Sequence, residues 1–242
     1  MIYMIDMMLN RTSIRSFKNK KIDKRIIDKL KQVVNSSPTW KNYQDFSSIF
    51  ITNKNIKNKL SQYNFKQEHV KSAPLIVIFT ADLNFLNLII KKRNMNVDVN
   101  KLHNYLISFT DSIIAATNLM NAAVSLGLGT CFLGGVRINA DKIINLLNIK
   151  GKCIPTIAIA IGEIDKPSFH IPKHNKVFNE KYDISIIEKE LNSYDKEMSK
   201  FYKKYFKINR NYSEVISKML HNENADNMME LISGYYFRKQ LK

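Results

Sequence analysis

The segment 102–137 limits what this chain can fold into more than any other part of the sequence. In its first part, apolar side chains recur at the three- and four-residue steps of an α-helix, and few polar side chains lie on the other faces. Such a helix is expected at the centre of a domain or at a subunit interface. Gly127 is placed to end it, since glycine adopts a left-handed backbone conformation at little cost. The apolar stripe comprises Leu102, Leu106, Phe109, Ile113, Ala116, Met120 and Ala123.

A short strand at residues 130–133 follows the predicted helix and runs directly into Gly134 and Gly135. Two residues without side chains allow backbone N–H groups to come close to a flat ligand. An ordinary tight turn after a buried helix explains the same residues. This segment alone therefore leaves both interpretations open.

Strands and helices alternate over the first two-thirds of the chain, and only helices are predicted after that. The alternation predicts an α/β (α+β) fold, in which residues 1–165 form the core and residues 166–242 form a helical extension of the same domain. Residues 83–100 are polar and are predicted to be irregular, while Asp23 and Asn139 are predicted N-caps. The predicted strands are 47–52, 75–80, 130–133 and 155–161, and the helices of the extension are 184–206, 213–220 and 225–240.

The chain is strongly basic, with 38 Lys and Arg against 21 Asp and Glu and a formal net charge of +17. The basic residues are scattered rather than massed, which favours a solvated surface over a face that binds nucleic acid. No apolar run reaches the ~18 residues needed to span a bilayer, and the first ten residues do not resemble a secretory signal. The two cysteines lack the spacing of a metal site. We therefore expect a cytoplasmic protein that binds neither membrane nor nucleic acid.

No set of side chains predicts catalysis by the protein alone. His170 and His174 are the closest pair of histidines, but Pro172 separates them and they cannot share a helical face, so no metal site is expected. Cys131 lies in a predicted buried strand and is expected to pack as a small hydrophobe. The serines lack a nucleophile elbow, and no glycine-rich nucleotide motif follows a strand. Many polar side chains without a nucleophile indicate that a bound cofactor carries the reaction.

Four segments, taken in order, resemble the nitroreductase family of flavin enzymes, and among them the NADPH-dependent, oxygen-insensitive nitroreductase and flavin reductase branch. Residues 11–17 are similar to the family's opening basic-Arg-Ser-Ile-Arg-x-Phe, and residues 37–44 to its Ala-Pro-Thr/Ser-Ser-x-Asn-x-Gln loop. Residues 67–74 resemble the glutamine loop before the second core strand. Residues 126–137 resemble the segment Gly-Leu-Gly…Gly-Gly-x-Arg. Together the four segments span most of residues 1–165.

The resemblance implies a mixed sheet flanked by helices, a homodimer formed through the long central helices, and FMN bound at the subunit interface with NADPH or NADH as reductant. It implies that Arg11 and Ser13, on either side of Thr12, bind the FMN phosphate. Arg15 would lie at the N1/O2 edge of the flavin ring, where a cation stabilises the reduced flavin. The other implied contacts are Thr39, Lys41 and Asn42 for the ribityl or phosphate group, Gln67 for the polar edge of the ring, and Leu133, Gly134 and Gly135 for backbone contacts beside the ring.

Two positions depart from the family pattern. Thr12 stands where an arginine is usual, and residues 169–175 replace the Lys-x-Arg-Leu-Pro that supplies two cations to the phosphate. His170 and Lys173 are the implied substitutes. In the extension, the segment around Arg210 resembles the one that binds the 2′-phosphate of NADPH.

The resemblance thus implies an FMN-dependent NAD(P)H oxidoreductase that reduces nitroaromatics, quinones or flavins by ping-pong hydride transfer. Two alternatives stay open from the sequence. One is a flavin-binding member of the family with another acceptor or none, such as a flavin store. The other is a basic protein that binds nucleic acid.

Overall fold

The computed structural model describes residues 4–63 and 67–222. It divides into two compact units, a first that runs to Ser168 and a second that begins at Phe169. The helix predicted at 225–240 and residues 64–66 of the glutamine loop lie outside the described residues.

The first unit is built on a sheet of four strands: β1 (Phe46–Ile51), β2 (Leu75–Asp82), β3 (Gly129–Leu133) and β4 (Cys153–Gly162). Their spatial order is β1-β2-β4-β3, and neighbouring strands are antiparallel. A single parallel bridge joins Ser13 to Thr130. The central strands β2 and β4 are buried over almost their whole length, as their unbroken apolar sequences predict.

Helices cover both faces of this sheet. They are α1 (Met4–Asn10), α2 (Lys24–Asn35), α3 (Lys54–Tyr63), α4 (Glu68–Ser72), α5 (Asn84–Lys92), α6 (Leu102–Ser125) and α7 (Ala140–Leu147). Helices α2 and α6 pack on the face that carries Leu75, Val77 and Phe79 of β2. Helices α3, α4 and α7 pack on the other face, around Ile76 and Ile78. The alternation of side chains along β2 therefore supplies two cores, and the predicted helix–sheet arrangement is confirmed.

The end of α6 has the geometry that Gly127 predicts. Gly127 has a φ of +76°. Its N–H donates to the carbonyl of Val124 at 2.9 Å, and the N–H of Leu128 donates to the carbonyl of Ala123 at 3.0 Å. These two hydrogen bonds form a Schellman motif, which satisfies carbonyls that the end of a helix would leave unpaired.

The first two turns of α6 bury a different face from the predicted one. Leu102 and Leu106 are 48% and 53% exposed, whereas Ser108 is buried. The hydroxyl of Ser108 donates to the carbonyl of Asp45 and accepts the N–H of Asp82 at 2.9 Å. Polar contacts with the sheet orient this part of the helix, and apolar periodicity cannot reveal such contacts.

The prediction that residues 83–100 are irregular is wrong over α5. Leu86 and Ile90 lie one helical turn apart and pack against a buried apolar cluster. At the start of the helix, Oδ1 of Asp82 accepts the N–H of Asn84 at 3.0 Å. The four-residue spacing of the two apolar side chains is a helical signal that the polar composition obscured.

Both predicted residues occupy N-cap positions, but only Asp23 caps its helix with its side chain. Oδ1 of Asp23 accepts the N–H of Arg25 at 2.7 Å at the start of α2. Asn139 precedes α7, but its side chain makes no capping hydrogen bond. It donates instead to the carbonyl of Tyr63 at 2.7 Å and so links α7 to the end of α3.

The second unit contains α8 (Ile184–Phe206) and α9 (Tyr212–Asn222), which confirms the helices predicted at 184–206 and 213–220. The two helices are joined at Asp195, whose carboxylate accepts the N–H and the hydroxyl of Ser213 at 2.8 and 2.7 Å. The buried residues of α8 are Tyr194, Met198 and Phe201. None of the helices within residues 4–63 and 67–222 is long and apolar enough to cross a membrane.

Substitution of Gly162, the last residue of β4, tests how tightly the side chains around the end of this strand are packed. A Cβ atom on Gly162 would lie 2.5 Å from Cδ of Pro74 and 3.0 Å from Cδ1 of Phe17. Both neighbours are rings, so we expect Gly162→Ala to lower the free energy of unfolding by about 2 kcal/mol. Gly127→Ala meets no atom within 4 Å but keeps the positive φ, and it should cost about 1 kcal/mol. Urea unfolding followed by circular dichroism measures both, and equal costs would contradict the steric explanation.

Candidate functional site

The opening segment 11–17 lies along β3 and the residues that follow β4. The N–H of Ile14 donates to the carbonyl of Thr130 at 2.9 Å, and Phe17 forms a bridge with Ile164. Ile14 and Phe17 are buried. The other five side chains of the segment stay partly or fully accessible, namely Arg11, Thr12, Ser13, Arg15 and Ser16.

Arg11 and Arg15 are cations that form no ion pair within the described part of the chain. Their positive charges affect the pKa values of two nearby side chains, Cys131 and His69. Burial raises the pKa of the Cys131 thiol, while Arg15 and Arg11 act in the opposite direction. Burial lowers the pKa of His69, and Arg15 lowers it further. Two unpaired guanidinium groups beside a buried wall form a site suited to a phosphate or another anion.

His69 joins α4 to this group of residues. Its Nε2 lies 3.9 Å from Sγ of Cys131 on β3. Gln67 immediately precedes α4, and its carbonyl accepts the hydroxyl of Ser61 at 2.8 Å. The glutamine loop therefore meets the same strand as the opening segment. Sequence reasoning assigned no role to His69, because its proximity to Arg15 arises only when α4 packs on β3.

The glycine pair follows β3 directly. Leu133 is buried, and Gly134–Arg137 forms a short 3₁₀ helix. A Cβ on Gly134 would lie 3.3 Å from Nη2 of Arg137, so this guanidinium packs against the Gly134 backbone. Its Nη1 donates to the carbonyl of Thr156 at 2.9 Å. Arg137 is thus a third cation near the end of β3, and its place in the glycine-rich motif was the signal for it.

The turn that contains Thr39, Lys41 and Asn42 is strained. Lys41, Asn42 and Gln44 have φ values of 47°, 58° and 52°, a left-handed conformation that costs a residue with a side chain about 1 kcal/mol or more. Local hydrogen bonds offset part of this cost. The hydroxyl of Thr39 accepts the N–H of Gln44 at 3.1 Å, and its carbonyl accepts the N–H of Asn42 at 3.2 Å.

Helix α6 anchors this turn through two polar side chains. Oδ2 of the buried Asp111 accepts the N–H of Trp40 at 2.9 Å. Nδ2 of Asn118 donates to the hydroxyl of Ser37 at 3.1 Å. In the sequence these two residues only interrupt an apolar helix, whereas in the structure they attach the strained turn to the core.

Within one chain the implied residues of the first unit form two groups. We call them the β3 group and the turn group, and no hydrogen bond or ion pair between them is found in the described residues. Arg11 and Thr12 also line a cavity of about 300 Å³ between α1 and the start of β3. The β3 group comprises Arg11, Thr12, Ser13, Arg15, Gln67, Leu133, Gly134 and Gly135, and the turn group comprises Thr39, Lys41 and Asn42.

The remaining implied residues belong to the second unit and are exposed: His170, Lys173 and Arg210. The segment that carries the first two is held by α8, since the hydroxyl of Tyr194 donates to the carbonyl of Pro172 at 2.8 Å. The ring of His174 also packs edge-on against Tyr194, with a centroid distance of 5.6 Å.

Known proteins match this chain in two parts, which correspond closely to its two units. The sequence matches the profile of the Nitroreductase family over residues 8–163 and that of the Nitroreductase family, C-terminal domain, over residues 170–240. An FMN reductase (NADPH) of Bacillus subtilis (strain 168) is 26% identical over 206 residues, which cover 82% of this chain and 83% of that protein. An NADPH-dependent oxidoreductase of Staphylococcus epidermidis (strain ATCC 12228 / FDA PCI 1200) is 24% identical over 249 residues, which cover 98% of this chain and 99% of that protein. The solved structure of the NfrA1 nitroreductase from B. subtilis superposes with a TM-score of 0.92 at 25% identity, over 98% of this chain and 100% of that one.

The reactivity of the two buried thiols tests the raised pKa values that the structure assigns to them. Cys131 and Cys153 are free and buried, and burial raises the pKa of both, that of Cys153 to about 12. Because the thiolate is the reactive form, we expect dithiobis(nitrobenzoate) at about pH 8 to react with the folded protein on the order of 100-fold more slowly than with the urea-unfolded protein. The absorbance of released thionitrobenzoate measures both rates. Rapid reaction of Cys131 in a Cys153→Ala variant would contradict the raised pKa and indicate a thiolate beside His69.

Proposed function

The chain belongs to the nitroreductase family, and from this membership we propose that it is an NAD(P)H-dependent oxidoreductase that uses FMN and reduces nitroaromatics, quinones or free flavins. Arg11, Ser13 and Arg15 would hold FMN, which would supply hydride and electron transfer between the nicotinamide and the acceptor. The observation that carries the proposal is the pair of unpaired arginines, Arg11 and Arg15, beside β3. The curated relative named FMN reductase (NADPH) supports the choice of cofactor and reductant.

The β3 group fits the charge distribution of FMN. A phosphate is bound most strongly by a guanidinium fork together with hydroxyl groups, and Arg11 and Ser13 supply both. Arg15 is assigned to the N1/O2 edge of the ring, where a fixed cation favours the negative charge that reduction brings. Gln67 is assigned to the polar edge of the ring, and the backbone of Gly134 and Gly135 to its face.

We propose that a second copy of the chain completes the site. The turn group lies on α6, apart from the β3 group of its own chain, and a two-fold dimer can bring the two groups together. Apolar side chains that a single chain leaves exposed support this arrangement, since they need a partner surface. They are Met4, Ile5, Met8 and Leu9 of α1 and Leu102, Leu106 and Ile114 of α6.

The second unit is assigned to the charged ends of both cofactors. We propose that His170 and Lys173 take the place of the two phosphate cations that the family pattern supplies, and that Arg210 contacts the 2′-phosphate of NADPH. All three side chains are exposed in the part of the chain that the structure describes.

The protein's own part in the reaction is to bind and orient. One ring slot would receive nicotinamide and acceptor in turn, which predicts ping-pong kinetics. Burial and the charge of Arg15 lower the pKa of His69, which disfavours its charged form as a proton donor to the acceptor. Both cysteines are free thiols, which accords with the reducing cytoplasm that we propose as its location.

Two arginine substitutions test the assignments within the β3 group. Arg11→Met should weaken FMN binding by about 10- to 100-fold, since a charge-assisted hydrogen bond to phosphate is lost, and should leave riboflavin binding unchanged. Arg15→Met should weaken both flavins, because its contact is with the ring. Fluorescence quenching of the flavin gives the dissociation constants. Arg25→Met is the matched control, since Arg25 is exposed and already paired with Asp23 at 2.9 Å, and equal losses in all three variants would argue against the assignments.

Steady-state oxidation of NADPH, followed at its absorbance band, tests the function itself. With FMN-loaded protein we expect turnover with free FMN, a nitroaromatic or a quinone, and parallel lines in double-reciprocal plots at several acceptor concentrations. Tight FMN binding without turnover with any acceptor would favour a flavin store instead. A protein that binds no flavin but binds DNA or RNA in a salt-dependent manner would favour the nucleic-acid alternative.

A further inference from the structure

Asp45, which directly follows the strained turn, is a buried carboxyl group in an unfavourable environment. It is fully buried, and in the described chain neither of its carboxyl oxygens receives a hydrogen bond from a donor group. Its backbone is fixed, because its carbonyl accepts the N–H of Asp82 at 2.9 Å and the hydroxyl of Ser108. An ionised carboxylate here is strongly disfavoured, and it cannot turn to solvent without breaking the start of β1.

Two other carboxyl groups, those of Asp111 and Asp82, lie near Asp45 and raise its pKa. Asp111 lies one helical turn beyond Ser108 on α6, and the hydroxyl of Ser108 contacts the Asp45 carbonyl, so the two carboxyl groups are neighbours. Asp82 at the end of β2 adds a weaker repulsion. Asp82 has its own donors, the hydroxyl of Ser47 at 2.6 Å and the N–H of Asn84 at 3.0 Å. Burial, followed by the effect of Asp111, raises the pKa of Asp45 to about 7. A proton on Asp45 is therefore the natural link between the two buried carboxyl groups.

We propose that Asp45 and Asp111 share one proton, and that this proton holds the Asp111 carboxylate against the N–H of Trp40 and so positions the strained turn. Asp45 donates its O–H to one side of the Asp111 carboxylate, which leaves Oδ2 of Asp111 to accept the Trp40 N–H at 2.9 Å. The Asp45–Asp111 pair positions the turn through the N–H of Trp40, and in this proposal it contacts neither substrate nor cofactor.

Loss of this proton changes the balance of forces. Two negative charges then face each other in a buried site, where repulsion is much stronger than in water. The repulsion is relieved if Asp111 moves away from Asp45 and from the Trp40 N–H. The left-handed residues Lys41, Asn42 and Gln44 then lose the anchor that offsets their backbone strain. The turn is thus expected to be ordered below about pH 7 and looser above it.

The inference rests on the proposed function only for its consequence. Because Thr39, Lys41 and Asn42 are the turn group assigned to FMN, a looser turn should weaken FMN binding at alkaline pH. The positioning of the turn itself can be measured without any ligand.

Trp40 is the only tryptophan of the chain, so its fluorescence reports directly on this turn. In the full-length protein, emission should change in one step centred near pH 7. In Asp45→Asn the side-chain amide donates to Asp111 at every pH, and the curve should be flat and equal to that of the wild type near pH 6. Asp28→Asn removes a half-buried aspartate of α2 that pairs with Lys31 at 3.4 Å, and it should titrate as the wild type does. A step that persists in Asp45→Asn would overturn the proposal.

Stability should change with pH in the same direction. The unfolded chain releases the Asp45 proton near the ordinary pKa of 3.8, while the folded chain keeps it to about 7. Between these values the unfolded chain binds fewer protons, so the stability of the wild type relative to Asp45→Asn should fall as the pH rises from about 4 to 7 and then level off. The midpoints of urea unfolding measure this difference. Parallel midpoints across that range would contradict the shared proton.

The wild-type protein alone can decide the matter if Asp45→Asn does not fold. Its infrared spectrum should contain the carbonyl band of a buried protonated carboxyl near pH 6 and lose it near pH 8.5. A spectrum without that band near pH 6 would overturn the proposal.

FMN binding separates the inference from the proposed function. Above pH 7 the affinity of the wild type should fall by up to about tenfold per pH unit relative to Asp45→Asn, a comparison that cancels the titration of the FMN phosphate itself. If the emission of Trp40 changes near pH 7 only in the wild type but no FMN binds, the positioning pair is supported and the proposed function fails. If FMN binds and Trp40 shows no step, the function stands and the pair is overturned.

Discussion

The antiparallel pairing of β2 with β4 is the constraint on which the rest of the first unit depends. Both strands lie at the centre of the sheet, and their register runs from Leu75 opposite Ile161 to Asp82 opposite Cys153. Buried backbone groups must be hydrogen-bonded, and this ladder satisfies them while alternate side chains fill the cores on both faces. Every segment that carries a candidate site residue in this unit is attached to that pair. Strand β3 pairs with β4; the opening segment is hydrogen-bonded to β3, and the glycine pair directly follows it. The strained turn is held by α6, which packs across β2 and β4.

Polar contacts then give the site its local shape. In α6, Ser108, Asp111 and Asn118 interrupt an apolar sequence, and each holds a backbone or hydroxyl group of a neighbouring segment. Beside β3 the reverse holds, because Arg11 and Arg15 are left without a carboxylate among the described residues. Satisfied polar groups fix the framework, and the two guanidinium groups beside β3 are the ones that we propose meet an anionic ligand. This contrast links the fold to the proposed binding of FMN.

Local patterns in the sequence were enough for most of the framework. Continuous apolar runs predicted the buried strands, the helical period predicted α6 and α8, and Asp23 and Gly127 predicted where two helices begin and end. The face of α6 and the role of Asn139 were not obtained, because they depend on contacts with distant segments. Helix α5 was missed for another reason, since the polar composition of residues 83–100 obscured its short apolar spacing. The hydrogen bond between Trp40 and Asp111 joins residues 71 positions apart, and no local pattern encodes it. The family resemblance proposed which residues contact FMN, and those contacts remain predictions.

The central claim, that this chain passes electrons from NADPH through FMN, is tested most directly by the visible absorbance spectrum of the purified protein in the absence of oxygen. We expect the bands of bound oxidised flavin, in a ratio of about one FMN per chain, their loss when NADPH is added, and their recovery on addition of an acceptor. A protein that stays colourless after incubation with FMN, or one whose flavin bands persist in the presence of excess NADPH and NADH, would contradict the claim.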